Sequence, residues 1–138
     1  TFHGRDLFAP AAAALAGGAD PASLGPTDAG LLPLPLPAVE RDTGFARGSV
    51  VHVDRFGNLV TSLRQEHLPS GPIEVVAGGT ALARVDRLVR YYAETEPGSA
   101  CALIGSTGYL EIAVREGSAQ ARLQVGRGAE VVVRRRQS

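Results

Sequence analysis

The sequence predicts a mainly β protein: a compact antiparallel β-barrel-like C-terminal domain, preceded by a short helix and a Pro-rich linker. Three observations carry this reading. Short β-patterned segments recur from residue 49 onward. Glycine-containing turns separate them, as in small closed or nearly closed antiparallel folds. Upstream, an alanine-rich run gives way to prolines that no central strand would tolerate.

Residues 7–16 are strong helix formers, with Asp6 placed as N-cap and Pro10 in the tolerant first turn. Gly17 and Gly18 stop that helix. Pro21, Pro26, Pro33, Pro35 and Pro37 follow, and Leu32, Leu34 and Leu36 alternate with the last three. Proline lacks a backbone donor, so this stretch reads as an extended connector whose leucines pack against another surface. Residues 49–53 and 58–63 are the first strand candidates. Residues 73–77 and 80–85 flank Gly78-Gly79, which suits a two-residue hairpin loop needing positive φ. Residues 101–104, 109–114 and 130–134 supply three more strands, and residues 117–123 a short helix closed by Gly126.

Composition narrows the function classes. Hydrophobic residues make up 44% and charged residues 20%, the balance of a globular chain. The formal net charge is zero, which gives no electrostatic basis for a nucleic-acid partner. No apolar run approaches the roughly 20 residues that span a bilayer, so no membrane partner is expected. Cys101, in an apolar run, reads as a buried inert thiol and fits a reducing, cytoplasmic setting. No Cys/His cluster or paired-His spacing points to a metal. The chain contains no Met, so it reads as an excised domain, a processed product or a gene fragment.

Four segments are unusually polar or glycine-rich for their settings. Phe2-His3-Gly4-Arg5-Asp6 stands ahead of the helix; His3 can pass a proton or orient water, while Arg5 and Asp6 read as a local ion pair and a cap. Asp54-Arg55-Phe56-Gly57-Asn58 lies between two β runs, as either a β-turn or a ligand rim. As a rim, Asp54 would accept from an ammonium, Phe56 would stack on a flat ring and Asn58 would meet a base edge. Gly105-Ser106-Thr107-Gly108 reads as a hairpin turn, or as a carboxylate site built on the Ser106 hydroxyl and backbone donors. Tyr91 and Tyr92 read as edge packing, or as the second face of a ring sandwich.

Taken together, these segments resemble the signatures of one family, the S-adenosylmethionine (SAM) hydroxide adenosyltransferases, relatives of fluorinase and chlorinase. Residues 1–12 resemble the first signature, 53–61 the second, and 105–114 with 117–119 the third, in matching order and spacing. The resemblance implies that residues 1–30 are the tail of an N-terminal α/β domain, 31–48 a linker and 49–138 the β-barrel-like SAM-binding domain, most of the N-terminal domain lying outside this chain. It implies hydrolysis of SAM by water to adenosine and L-methionine, with SAM as substrate and no cofactor or metal. It also implies a homotrimer in the complete protein.

By the same resemblance His3 belongs to an Asp–Arg–His set that handles the water, the Asp and Arg lying outside this chain. Asp54 and Ser106 would bind the methionine end. Phe56 and Asn58 would contact adenine, with Tyr92, or alternatively Tyr91, over its other face and a backbone contact near Glu116. Two positions depart from the pattern: Thr107 stands where the halogenases carry Arg, and Arg115 where the hydroxide enzymes commonly carry Asn. The other readings are a non-catalytic adenosyl-binding module, an oligomerisation domain, or a SAM-dependent halogenase. The isolated chain is expected to be inactive.

Overall fold

A computed structural model describes residues 2–27, 30, 32–79, 84–85 and 88–136. The chain divides into two compact units, Thr1–Leu34 and Pro35–Ser138.

In the first unit a π-helical turn, Gly4–Phe8, leads into helix α1, Ala9–Ala16. Asp6 is therefore not the N-cap expected from the sequence. Its N–H already closes a helical bond to the Phe2 carbonyl at 2.8 Å, while its Oδ2 accepts from the Phe2 N–H at 3.1 Å. Gly17 and Gly18 end the helix as expected, Gly18 with φ of +87°. Asp20 then caps the short 3₁₀ turn Pro21–Leu24 by accepting from the Ala22 N–H. No residue of these helical segments is buried. Two of the connector leucines do not pack as expected: Leu32 is 94% and Leu34 79% exposed, while Leu36 is 45% exposed. The alternating prolines offer no N–H, so no ladder anchors this run to a sheet.

The second unit is one curled sheet. Its strands are β1 (Glu40–Asp42), β2 (Phe45–Val53), β3 (Leu59–Arg64), β4 (Ile73–Ala77), β5 (Arg84–Val85), β6 (Leu88–Val89), β7 (Ala100–Ile104), β8 (Tyr109–Val114) and β9 (Glu130–Arg135). They lie in the order β5-β4-β9-β2-β3-β8-β7-β6, with β1 added beside β2. Every described pairing is antiparallel except β6 with β7. The terminal strands β5 and β6 are separated in sequence only by residues 86–87. Three peptide steps reach at most about 11 Å, so the two edges of the sheet are brought together into a nearly closed barrel. No helix of the described residues is long and apolar enough to cross a membrane.

Strand β2 joins the two halves. Its first part, Phe45–Ser49, pairs with β9, and its last part, Val50–Val53, pairs with β3 across a bulge. Gly48 sits at the change of partner. A Cβ there would lie 2.6 Å from Ser62 Oγ and 2.9 Å from Leu63 Cγ. The Ser62 hydroxyl, lodged in the space so left, accepts from the Ser49 N–H at 3.1 Å. Inside the barrel Val50, Leu59, Leu63, Val75, Leu110, Ile112, Leu123, Val131 and Val133 form the main core. Residues of the other parity on β7 and β8, Cys101, Leu103 and Ala113, form a second buried cluster with Val89 on the opposite face.

Several boundaries differ from the sequence reading. Strand structure begins at Glu40, inside the stretch read as connector, because β1 and the start of β2 pair as a hairpin locked by Arg47, which reaches Glu40 at 2.9 Å and Glu130 at 3.2 Å. The two-residue Gly78-Gly79 hairpin does not form. Register places Val76 opposite Arg84 and Val75 opposite Val85, while Ala77 stays paired with Val131 and the Gly78 N–H donates to the Glu130 carbonyl. Both glycines do take positive φ; residues 80–83 of the expected strand lie outside the described residues. Helix α2, Ala119–Leu123, ends at Gln124, which itself adopts left-handed φ, so Gly126 is not its terminator.

Gly48→Ala is expected to destabilise the domain by about 1–3 kcal/mol through overpacking at the Ser62–Leu63 contact. Urea unfolding should show a lowered midpoint with an unchanged slope; an unaltered midpoint would rule out the corner as a constraint.

Candidate functional site

The second segment of interest forms a tight turn between β2 and β3, organised by one carboxylate. Asp54 Oδ1 accepts from the Phe56 N–H at 2.8 Å and the Asn58 N–H at 2.9 Å, and Oδ2 accepts from Asn58 Nδ2 at 2.9 Å. Backbone bonds close the same turn, from the Asp54 N–H to the Asn58 carbonyl and from the Gly57 N–H to the Asp54 carbonyl, both at 3.0 Å. Burial by itself would raise the Asp54 pKa. The bonds from Asn58 backbone and side chain, then from Phe56 and Gly57, outweigh it and hold the carboxyl below its ordinary value. The bond to Asp54 orients the Asn58 amide, leaving Oδ1 and one N–H for a ligand.

Gly57 is required at the centre of this turn. Its φ is +85°, and a Cβ would overlap the Ser118 side chain. Ser118 caps α2 by accepting from the Ala121 N–H, and the Gly57 carbonyl accepts from the Gln120 N–H at 2.9 Å. The turn is thus seated on the helix that follows β8. With its backbone spent inward, Phe56 is left 63% exposed, its ring 4.7 Å from the Arg55 guanidinium.

Five of the residues singled out from sequence meet at one concavity of about 620 Å³: Asp54, Phe56, Asn58, Tyr92 and Glu116. That volume lies within the roughly 300–1,000 Å³ usual for small-molecule sites. Ala93, Val114, Arg115 and Gly117 complete the lining. Tyr92 opens a short 3₁₀ turn, Tyr92–Glu94, and its hydroxyl donates to Glu111 Oε2 at 3.2 Å. Burial, then the charge and hydrogen bond of Glu111, then the charge of Asp54, push its phenol pKa up. Glu116 has φ of +56°, uncommon for a residue with a side chain.

Other candidates lie elsewhere. Ser106 is exposed on the turn between β7 and β8 and does not line the concavity. Tyr91 is 54% exposed and likewise outside the lining. His3 is exposed in the first unit, where Phe2, His3, Gly4 and Arg5 line their own hollow. Arg5 pairs with Asp6 at 2.6 Å, as expected, and with the Phe2 N–H holds that carboxyl below its ordinary pKa. Among the described residues no group of three His, Cys, Asp or Glu could hold a metal ion.

Sequence reasoning gave no role to Ala93, Val114, Gly117 or Glu111. Glu111 carried a signal: it is a carboxylate at an otherwise apolar strand position, between Leu110 and Ile112.

This geometry defines a class: a small β-barrel domain bearing an aromatic-walled, acid-lined hollow suited to a flat polar ring and a cation. Residues 48–132 match the family described as SAM hydroxide adenosyltransferase C-terminal domain, and the chain belongs to it. It is 41% identical over 135 residues to an (R)-S-adenosyl-L-methionine hydrolase of Thermus thermophilus, covering 95% of this chain and 48% of that protein. It is 36% identical to one from Salinispora arenicola, covering 96% of this chain and 50% of the relative. A solved structure of an uncharacterized conserved protein from Thermotoga maritima superposes with a TM-score of 0.65 at 28% identity, over 98% of this chain and 53% of the other. The chain thus spans about half the length of the curated relatives it matches.

Because the folded-state pKa of Asp54 is depressed, the stability it supplies is fully present above the unfolded value near 3.8. It is lost as pH falls through the lower folded value. Asp54→Asn should cost on the order of 1 kcal/mol at neutral pH after solvent screening. The gap from wild type should close as pH drops below about 3.8. Urea midpoints across acid pH check this; a constant gap contradicts it.

Proposed function

We propose that this chain is the SAM-binding half of a SAM hydrolase that converts (R)-SAM and water to adenosine and L-methionine. The observation that carries the proposal is the meeting of Asp54, Phe56, Asn58, Tyr92 and Glu116 at one hollow inside the segment that matches the family. The names of the relatives support the substrate.

In this reading adenine lies between Phe56 and Tyr92, with its edge on Asn58 and the backbone near Glu116. The remaining lone pair of Asp54 Oδ2 accepts from the methionine ammonium, and the Ser106 hydroxyl takes the carboxylate. Water attacks the ribose C5′. An O–C5′ bond forms, the C5′–S bond breaks and its electron pair returns to sulfur, which leaves as neutral methionine. One water proton must depart. His3 is assigned to receive it, oriented by an Asp and an Arg contributed from outside this chain. The sulfonium is already a good leaving group, so the protein's task is to orient and desolvate the nucleophile. SAM is the substrate, with no further cofactor or metal. The complete enzyme is assigned as a cytoplasmic homotrimer that binds neither nucleic acid nor membrane.

The test is chromatographic detection of adenosine from SAM. The isolated chain should show no enzymatic turnover, and adding the missing half from the Thermus thermophilus relative should restore it. There, His3→Ala should lower kcat far more than it raises the SAM Kd. Phe56→Ala should instead weaken binding about three- to tenfold, with kcat little changed. Robust turnover by the isolated chain, or halogenated adenosine as main product when chloride or fluoride is supplied, overturns the reading.

A further inference from the structure

Tyr92 stands on the segment between β6 and β7 and is 40% exposed. The ring is therefore partly open to solvent, and its hydroxyl and the backbone that follows it are reached by neighbouring side chains. Two side chains, from β8 and from the turn after it, make these contacts. Register pairs Leu103 and Val60 with Glu111, so Glu111 rises from the barrel face that carries Cys101, Leu103 and Ala113. From there its Oε2 accepts from the Tyr92 hydroxyl at 3.2 Å. The chain keeps space for this carboxylate. At Gly105, beside it on the β7–β8 turn, an added methyl group would overlap the Glu111 carboxylate.

Arg115 holds the backbone of the same turn. Its Nη1 donates to the Thr95 carbonyl at 2.7 Å and the Ala93 carbonyl at 3.5 Å. Its own N–H and carbonyl pair with Ser99 and Gly98, at 3.1 Å and 2.7 Å. The ring is thus held at its tip from β8 and at its base from the turn that follows.

We propose that Glu111 is a positioning residue: its carboxylate, seated beside Gly105, presets the Tyr92 ring as a ligand wall, with Arg115 as the second tether. The inference rests on the adenosyl reading of this hollow for the identity of the ligand, and on the tether itself for the contact. A preset wall saves the ordering cost that a mobile aromatic would incur on binding.

The test uses the full 138-residue chain, with adenosine as probe, and the variants Glu111→Ala, Glu111→Gln, Gly105→Ala and Tyr92→Phe. Carbon-labelled tyrosine followed by NMR across alkaline pH reads each phenol separately. The Tyr92 phenol should titrate at lower pH in Glu111→Gln, where the charge is lost, and also in Gly105→Ala, where the carboxylate is displaced but retained. Calorimetry should show adenosine binding weakened about three- to tenfold by Glu111→Ala, less by Glu111→Gln, and not further when Glu111→Ala is added to Tyr92→Phe. An unchanged Tyr92 titration in both Glu111→Gln and Gly105→Ala overturns the proposal. So does an undiminished effect of Glu111→Ala in the Tyr92→Phe background, since Glu111 would then act on the ligand directly. Failure of the wild-type chain to bind adenosine sinks the adenosyl reading alone; the phenol titration then still upholds or overturns the tether.

Discussion

The second unit depends on a single strand serving two partners. β2 leaves β9 and takes up β3 within a few residues, and only a missing side chain at Gly48 lets β3 approach closely enough for that exchange. The exchange turns a twisted sheet into a barrel. It also fixes where β2 ends, and that end launches the Asp54 turn. The position of the candidate site therefore follows from a packing constraint some way from any ligand-facing atom.

The Asp54 carboxylate acts in two ways at once. Three internal donors fold the turn around it, and the same bonds keep it ionised at the rim of the hollow. The choice between a structural turn and a ligand rim, open at the level of sequence, is a false one here. The turn is what leaves Phe56 outward and Asn58 oriented. Gly57 then couples this rim to α2 through Ser118, so residues from the second and third signatures share one mechanical unit.

Much of the fold was legible because its signals are local. Residues 59–63, 73–77 and 109–114 show a strand's alternation or apolar run, and glycines with positive φ mark turns. Where local signal and tertiary pairing compete, the reading fails. Gly78-Gly79 has tight-hairpin chemistry, yet β9 holds Ala77 and Gly78 and carries the chain past that turn. In the sequence the start of β2 reads as part of the Pro-rich connector; its order comes from pairing with β1 and β9. Of the site, Asp54, Phe56, Asn58 and Tyr92 were legible as polar or aromatic residues in turns. Val114 and Gly117 carry no chemical signal and join the hollow only through the fold. Arg115, a departure from the family pattern, spends its guanidinium on the carbonyls of Ala93 and Thr95.

The seam of the barrel has a further consequence. Its edge strands, β5 and β6, are two residues each, and the covalent chain itself passes between them. An edge that short presents too few backbone donors and acceptors to template an incoming strand. Among the described residues, that seam therefore offers little backbone for recruiting a partner by strand addition. Recognition there falls to side chains and turns, whose shape can be retuned without unpicking the sheet.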